Sequence, residues 1–231
     1  MNKFGGLFLI GTIFCSVIVF SQNLTVKYRF IKENIPISDY NLIIEKDHSL
    51  FYETEYCSKE EFSKSELIIY KDNSTNIKLL DKVGEVSVST SKTNKLDWII
   101  IDNKKIIGDY NCQQAEIIYK NEKWTAWFTN DLPIQEGPFI FNGLPGLILM
   151  VENNKYKFEL LEVSKSENQC SSKIDNRKEI SYDKYEILFN NISKKNDALL
   201  NSLGSLNLKL ETKLDAISKN EKKINILREI L

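Results

Sequence analysis

The stretch Ala115-Glu-Ile-Ile-Tyr-Lys120-Asn121-Glu122-Lys123-Trp-Thr-Ala-Trp-Phe-Thr129 decides the fold class. Ala115–Lys120 and Lys123–Thr129 are rich in β-branched and aromatic residues, and only the polar pair Asn121-Glu122 separates them. Two extended runs with so short a link form an antiparallel hairpin, because a parallel pair needs a crossover of a dozen or more residues. The arrangement repeats downstream, where Leu147–Glu152 and Lys155–Val163 flank Asn153-Asn154. Upstream, Leu24–Ile31 alternates apolar and polar side chains with period two. Further strand candidates are Tyr40–Glu45, Ser49–Thr54, Glu66–Tyr70, Glu85–Ser89 and Leu96–Ile101, with Lys46-Asp47-His48 and Lys71–Asn76 as polar connections. This succession predicts an antiparallel meander, a mainly β fold.

The pattern changes after residue 163. Tyr185, Leu188, Ile192, Leu199 and Leu203 recur at helical steps, as do Leu210, Leu214, Ile217, Ile224, Leu227 and Leu231. Two C-terminal amphipathic helices are expected, with a break near Ser202-Leu203-Gly204-Ser205, making the class α+β. Their apolar stripes either cover the sheet or meet a partner chain. The expected organisation is a leader over 1–21, a β-rich domain over 22–163, a linker over 164–176 and a helical segment over 177–231.

The leader reading rests on Lys3, the uncharged run Leu7–Phe20, and Val19 and Ser21 at the positions before a cut. The run is shorter than the roughly 20 apolar residues of a spanning helix. Export with cleavage after Ser21 is therefore expected, and no membrane span in the mature chain. Without Lys3 the chain carries 30 basic and 32 acidic residues, a balance that does not suit phosphate backbones. Nucleic acid is not an expected partner. In an oxidising compartment the three remaining cysteines allow one disulfide, and Cys112 is the favoured member, with Cys57 or Cys170.

Catalytic constellations are sparse. The single histidine, His48, sits among charged turn residues and reads as solvated, and one histidine makes a zinc site improbable. Neither a Gly-x-Ser-x-Gly elbow nor a P-loop occurs. Glu60-Glu61 could pair as acid and base, but 32 carboxylates supply such neighbours by chance. Cys112 has no activating neighbour in sequence. No catalytic residue, cofactor or metal ligand is assigned. Trp124 and Trp127 lie three apart on one strand, so they point to opposite faces, and both are candidates for ligand contact.

Residues 105–152 hold three of the four prolines and four of the six glycines that follow the leader. Asn142-Gly143 favours positive φ and Pro145-Gly146 a type II turn, so the chain doubles back before Leu147. Gly143-Leu144-Pro145-Gly146-Leu147-Ile148 resembles the eponymous motif of the GLPGLI family of exported Gram-negative proteins. The resemblance extends over Gly108, Cys112, Ala115, the Ala126-Trp127-Phe128-Thr129 core, Leu132-Pro133-Ile134 and Gly137-Pro138-Phe139-Ile140-Phe141. It implies a periplasmic or envelope location and no particular reaction. The strand order is also similar to the curved half-barrel sheets of periplasmic lipoprotein carriers, an analogy of fold alone.

Two functions from different classes follow. One is a non-catalytic binding or carrier-like module for an apolar or peptide ligand. The other is an envelope assembly factor that engages a transporter or partner chain through its helices or a sheet edge.

Overall fold

Local turn chemistry sets the order of the strands. The computed structural model describes residues 23–54, 67–72, 75–83, 86–165, 177–204 and 227–231. β1 (Leu24–Lys32) and β2 (Ile35–Ile44) are joined by Glu33-Asn34, whose φ angles are 50° and 67°. Two successive left-handed residues give a turn whose twist matches that of the flanking strands. The meander continues through β3 (His48–Glu53), β4 (Leu67–Asp72), β5 (Asn76–Val83) and β6 (Val86–Thr93). A five-residue crossover, 94–98, then leads to β7 (Ile99–Ile107), followed by β8 (Tyr110–Tyr119) and β9 (Glu122–Thr129). Lys120-Asn121, at φ 50° and 63°, makes the β8–β9 turn one residue earlier than Asn121-Glu122. β10 (Leu147–Glu152) and β11 (Tyr156–Lys165) form the last hairpin, and β12 (Lys178–Glu179) precedes α1 (Tyr182–Gly204).

The twelve strands of the described residues form one sheet in the order β12-β6-β5-β4-β3-β2-β1-β11-β10-β9-β8-β7. Every pairing is antiparallel except that of β12 with β6. The connectivity dictates the shape. Laid flat, β6 and β7 would lie about 48 Å apart at ~4.8 Å per strand, yet the crossover reaches at most about 20 Å. The sheet must therefore curl until its ends approach. Lys92 on β6 donates to the Tyr119 hydroxyl on β8 at 3.2 Å across the closing gap.

The concave face carries the main core, including Tyr28, Phe30, Leu42, Phe51, Ile69, Leu79, Trp124, Phe128 and Phe158. Its centre is filled by the β9–β10 connection, 130–146, whose Phe139, Ile140 and Phe141 are fully buried. Phe139 stacks on Phe158 at 6.0 Å, and Phe141 lies 4.7 Å from Trp124. A smaller cluster, Ile43, Leu50, Tyr52, Ile68 and Leu80, occupies the opposite face of β2–β5. Those strands are therefore buried on both faces and show runs of apolar residues rather than alternation.

The sequence reading misses β5, a central strand, because Lys78, Asp81 and Lys82 disguise its pattern. Asp81 is fully buried, and distant side chains satisfy it. Tyr185 of α1 donates to its Oδ2 at 2.7 Å, and Arg228 donates at 2.9 and 2.5 Å. Tyr185 lies in the core, with Leu188, Phe189 and Ile192 packed against it, so the first half of α1 covers the sheet. α1 is described as far as Gly204, and the break expected near 202–205 lies at the limit of the described residues. The expected second helix falls largely, and the expected leader wholly, outside the described residues, as do Cys57, Cys170 and Glu60-Glu61; residues 227–230 are helical. β11 and β12 extend into the stretches assigned to the linker and the helical segment. Among the described residues, no helix is long and apolar enough to cross a membrane.

Candidate functional site

Strands β2, β4 and β6 end on the same side of the sheet, so their turns converge with residues 134–143 of the internal loop. A cleft of about 470 Å³ opens there. The mouth of a curled sheet is a common place for a ligand. Charge of both signs lines it: Lys46, Lys71 and Lys95 against Glu45, Asp72 and Glu136, with the carboxamides of Asn94, Gln135 and Asn142 between them.

Lys71 anchors the floor. Its side chain is 1 % exposed, its Nζ lies 2.6 Å from Glu136 Oε2, and it donates to the Gly137 carbonyl at 3.0 Å. A buried ammonium needs such partners, because desolvation otherwise costs several kcal/mol. The pair ties β4 to the loop. From the crossover, Asn94 Nδ2 donates to the Ile140 carbonyl at 2.7 Å, while its buried Oδ1 has no hydrogen-bond partner among the described residues. Trp98 Nε1 donates to the Asn142 carbonyl at 2.8 Å. Below the loop, Tyr28 donates to the Ile148 carbonyl at 2.6 Å; burial, then Glu136, hold its pKa well above the ordinary value.

His48 is not the solvated turn residue that its neighbours suggest. It opens β3, stacks on Tyr70 at 5.3 Å, and is 11 % exposed. Its Nδ1 lies 2.8 Å from Asp47 Oδ1 and its Nε2 3.7 Å from Glu45 Oε2. Pairing of His48 with Asp72 in the β3–β4 ladder carries the ring out of the turn and into the cleft wall.

The motif residues act through the backbone. Gly143 has φ +87° and open space around it, whereas Gly146 is not in the left-handed region that a type II turn requires. What demands glycine at 146 is close approach, since a Cβ there would lie 2.0 Å from the Thr129 carbonyl oxygen. At Gly137 a Cβ would lie 2.7 Å from both Ile148 Cβ and the Phe141 oxygen. Pro138 accepts the Phe141 N–H, Leu144, Leu147 and Ile148 are buried, and Pro145 leads into the tight approach at Gly146. Gly108, at φ +57°, turns β7 into β8.

The two tryptophans are elsewhere. Trp124 is core, between Phe141 and Tyr156. Trp127 lies on the other face beneath the Lys105 ammonium, 4.1 Å from its ring centroid. Neither lines the cleft. Of the cleft residues, Ile134 and Gly143 belong to the motif segment; Lys71 and His48 carry no motif, and the signals that could have marked them are an isolated lysine in an apolar run and a lone histidine beside two acids. Among the described residues no group of three metal-ligating side chains occurs.

Cys112 is buried with a free thiol whose pKa burial raises. Thiol alkylation is therefore expected to be slow for the native chain at Cys112 and fast after unfolding; mass spectrometry of the modified peptide checks this. Rapid native labelling at Cys112 would contradict its burial.

A family model described as "Protein of unknown function (Porph_ging)" matches residues 116–150, the segment from β8 through the loop to β10. No curated protein matches. Two solved structures of PNGF-II, in space groups C2 and P21, are similar in fold, with TM-scores of 0.60 and 0.61. Identity is 18 % and 19 %, and each alignment covers 73 % of this chain. The chain spans about a third of those proteins, 32 % and 33 %.

Proposed function

We propose that the chain is an exported, non-catalytic binding module of the bacterial periplasm or envelope, and that it holds a peptide segment in the cleft beside the internal loop. The observation that carries this reading is the cleft's composition. One fixed cation, Lys71, with exposed lysines, carboxylates and carboxamides around it in one concavity, matches the alternating donors and acceptors of a peptide better than an aliphatic chain. The concave face, where an apolar cargo would lie, is occupied by Phe139, Ile140 and Phe141. Similarity to one third of a longer protein supports the idea of a module.

Native mass spectrometry of the protein isolated gently from the envelope tests it, together with tryptophan emission during titration with pooled short peptides, Trp98 being the tryptophan bonded to the cleft residue Asn142. A peptide adduct in the wild type, and a saturable emission change that Asn142→Arg abolishes, are expected. A bare chain with no response to the pools, or a lipid adduct in place of a peptide, would overturn the reading.

A further inference from the structure

β7 ends the sheet, and no described strand lies beyond it. Half of its backbone donors and acceptors thus lack a ladder partner, while Ile99, Ile100 and Ile106 are 66 %, 48 % and 72 % exposed. A long apolar edge is a template for another strand, and soluble proteins usually blunt such edges with charge or a bulge. β7 has both features at its middle: Asp102-Asn103-Lys104, with a register shift between Ile101 and Lys104.

Those features select rather than forbid a partner. The strand Ile-Ile-Ile-Asp-Asn-Lys-Lys-Ile-Ile is nearly palindromic in character about Asn103. In an antiparallel pairing with its own copy centred there, Asp102 lies opposite Lys104 of the partner subunit, and the relation recurs on the other side of the dyad. Ile100 then meets Ile106 of the partner subunit, and Ile99 meets Ile107 of the partner subunit. The faces also agree. Ile100, Lys104 and Ile106 pair with Ala115, Gln113 and Asn111 of β8, which share one face, so the inserted pair 102–103 leaves the alternation intact. A foreign strand without the irregularity would lose register at Asn103, whereas a second copy brings the same irregularity to the same point.

We infer that β7 is a homodimerisation edge, through which two copies join their sheets about a two-fold axis at Asn103. Sedimentation of the full chain and of two charge reversals tests this. The wild type is expected to dimerise reversibly. Asp102→Lys places lysine opposite lysine, and Lys104→Asp places aspartate opposite aspartate. Each is expected to weaken the dimer by at least about tenfold, since like charges directly opposite are unfavourable twice over. Mixed in equal amounts, the two variants restore both attractive pairs and are expected to form a heterodimer. The inference is overturned by a wild type that stays monomeric at high concentration, by a dimer that neither reversal weakens, or by single reversals whose mixture fails to associate. Circular dichroism of each variant alone separates loss of pairing from loss of fold. Peptide binding at the cleft is independent of each of these outcomes.

Discussion

Gly146→Ala is expected to destabilise the protein by at least about 3 kcal/mol, the upper end of overpacking costs, and to lower Tm by roughly 6–12 °C. The added carbon would sit 2.0 Å from the Thr129 oxygen and 2.6 Å from its carbonyl carbon. Both atoms belong to backbone, and Thr129 is the last residue of β9, paired with Leu147. Relief therefore requires the β9–β10 ladder to open at the point where the internal loop enters the core. Gly143→Ala is the matched control. It faces open space at φ +87°, so its cost is that of a left-handed alanine, about 1–2 kcal/mol. Thermal unfolding of both variants decides the matter. Equal small losses would refute the close approach at 146.

Glu136→Ala is the second large effect. It leaves the Lys71 ammonium buried with the Gly137 carbonyl as its one remaining partner among the described residues. Removal of one member of a buried pair costs about 3–5 kcal/mol. Replacement of both members by apolar residues of similar size, Lys71→Met with Glu136→Leu, is expected to recover most of that loss, because no uncompensated charge remains. The double variant also separates stability from recognition. It should fold and still fail to bind peptide, because the fixed charges at the cleft floor are gone. If the single variant melts like the wild type, Lys71 is not held as the geometry indicates.

Most strands were legible because their signal is local. The hairpin 115–129 is specified by side-chain type, strand length and a two-residue link, none of which depends on distant residues. β5 was not legible, since Asp81 and its neighbours look like loop until Tyr185 and Arg228 arrive from more than a hundred residues away. The glycines of 137–146 were recognisable as backbone requirements. The reason at Gly146 was not, because a φ preference is local and a clash with Thr129 is tertiary. His48 shows the same limit: its sequence neighbours are charged and solvated, but its spatial neighbour is Tyr70.

By itself the sequence determined the β class, the antiparallel order of the hairpins and the need for a tight return before Leu147. These follow from period-two patterning and turn chemistry, which act over a few residues. The curl of the sheet was expected only by analogy with half-barrel carriers; the tertiary structure alone decided how its ends approach, that its concavity is filled by its own loop, and that Lys71, His48 and Asn94 face one cleft. Each of these depends on the 94–98 crossover bringing the ends of a twelve-stranded sheet together, and on burial that gives a charged side chain its partner across the fold.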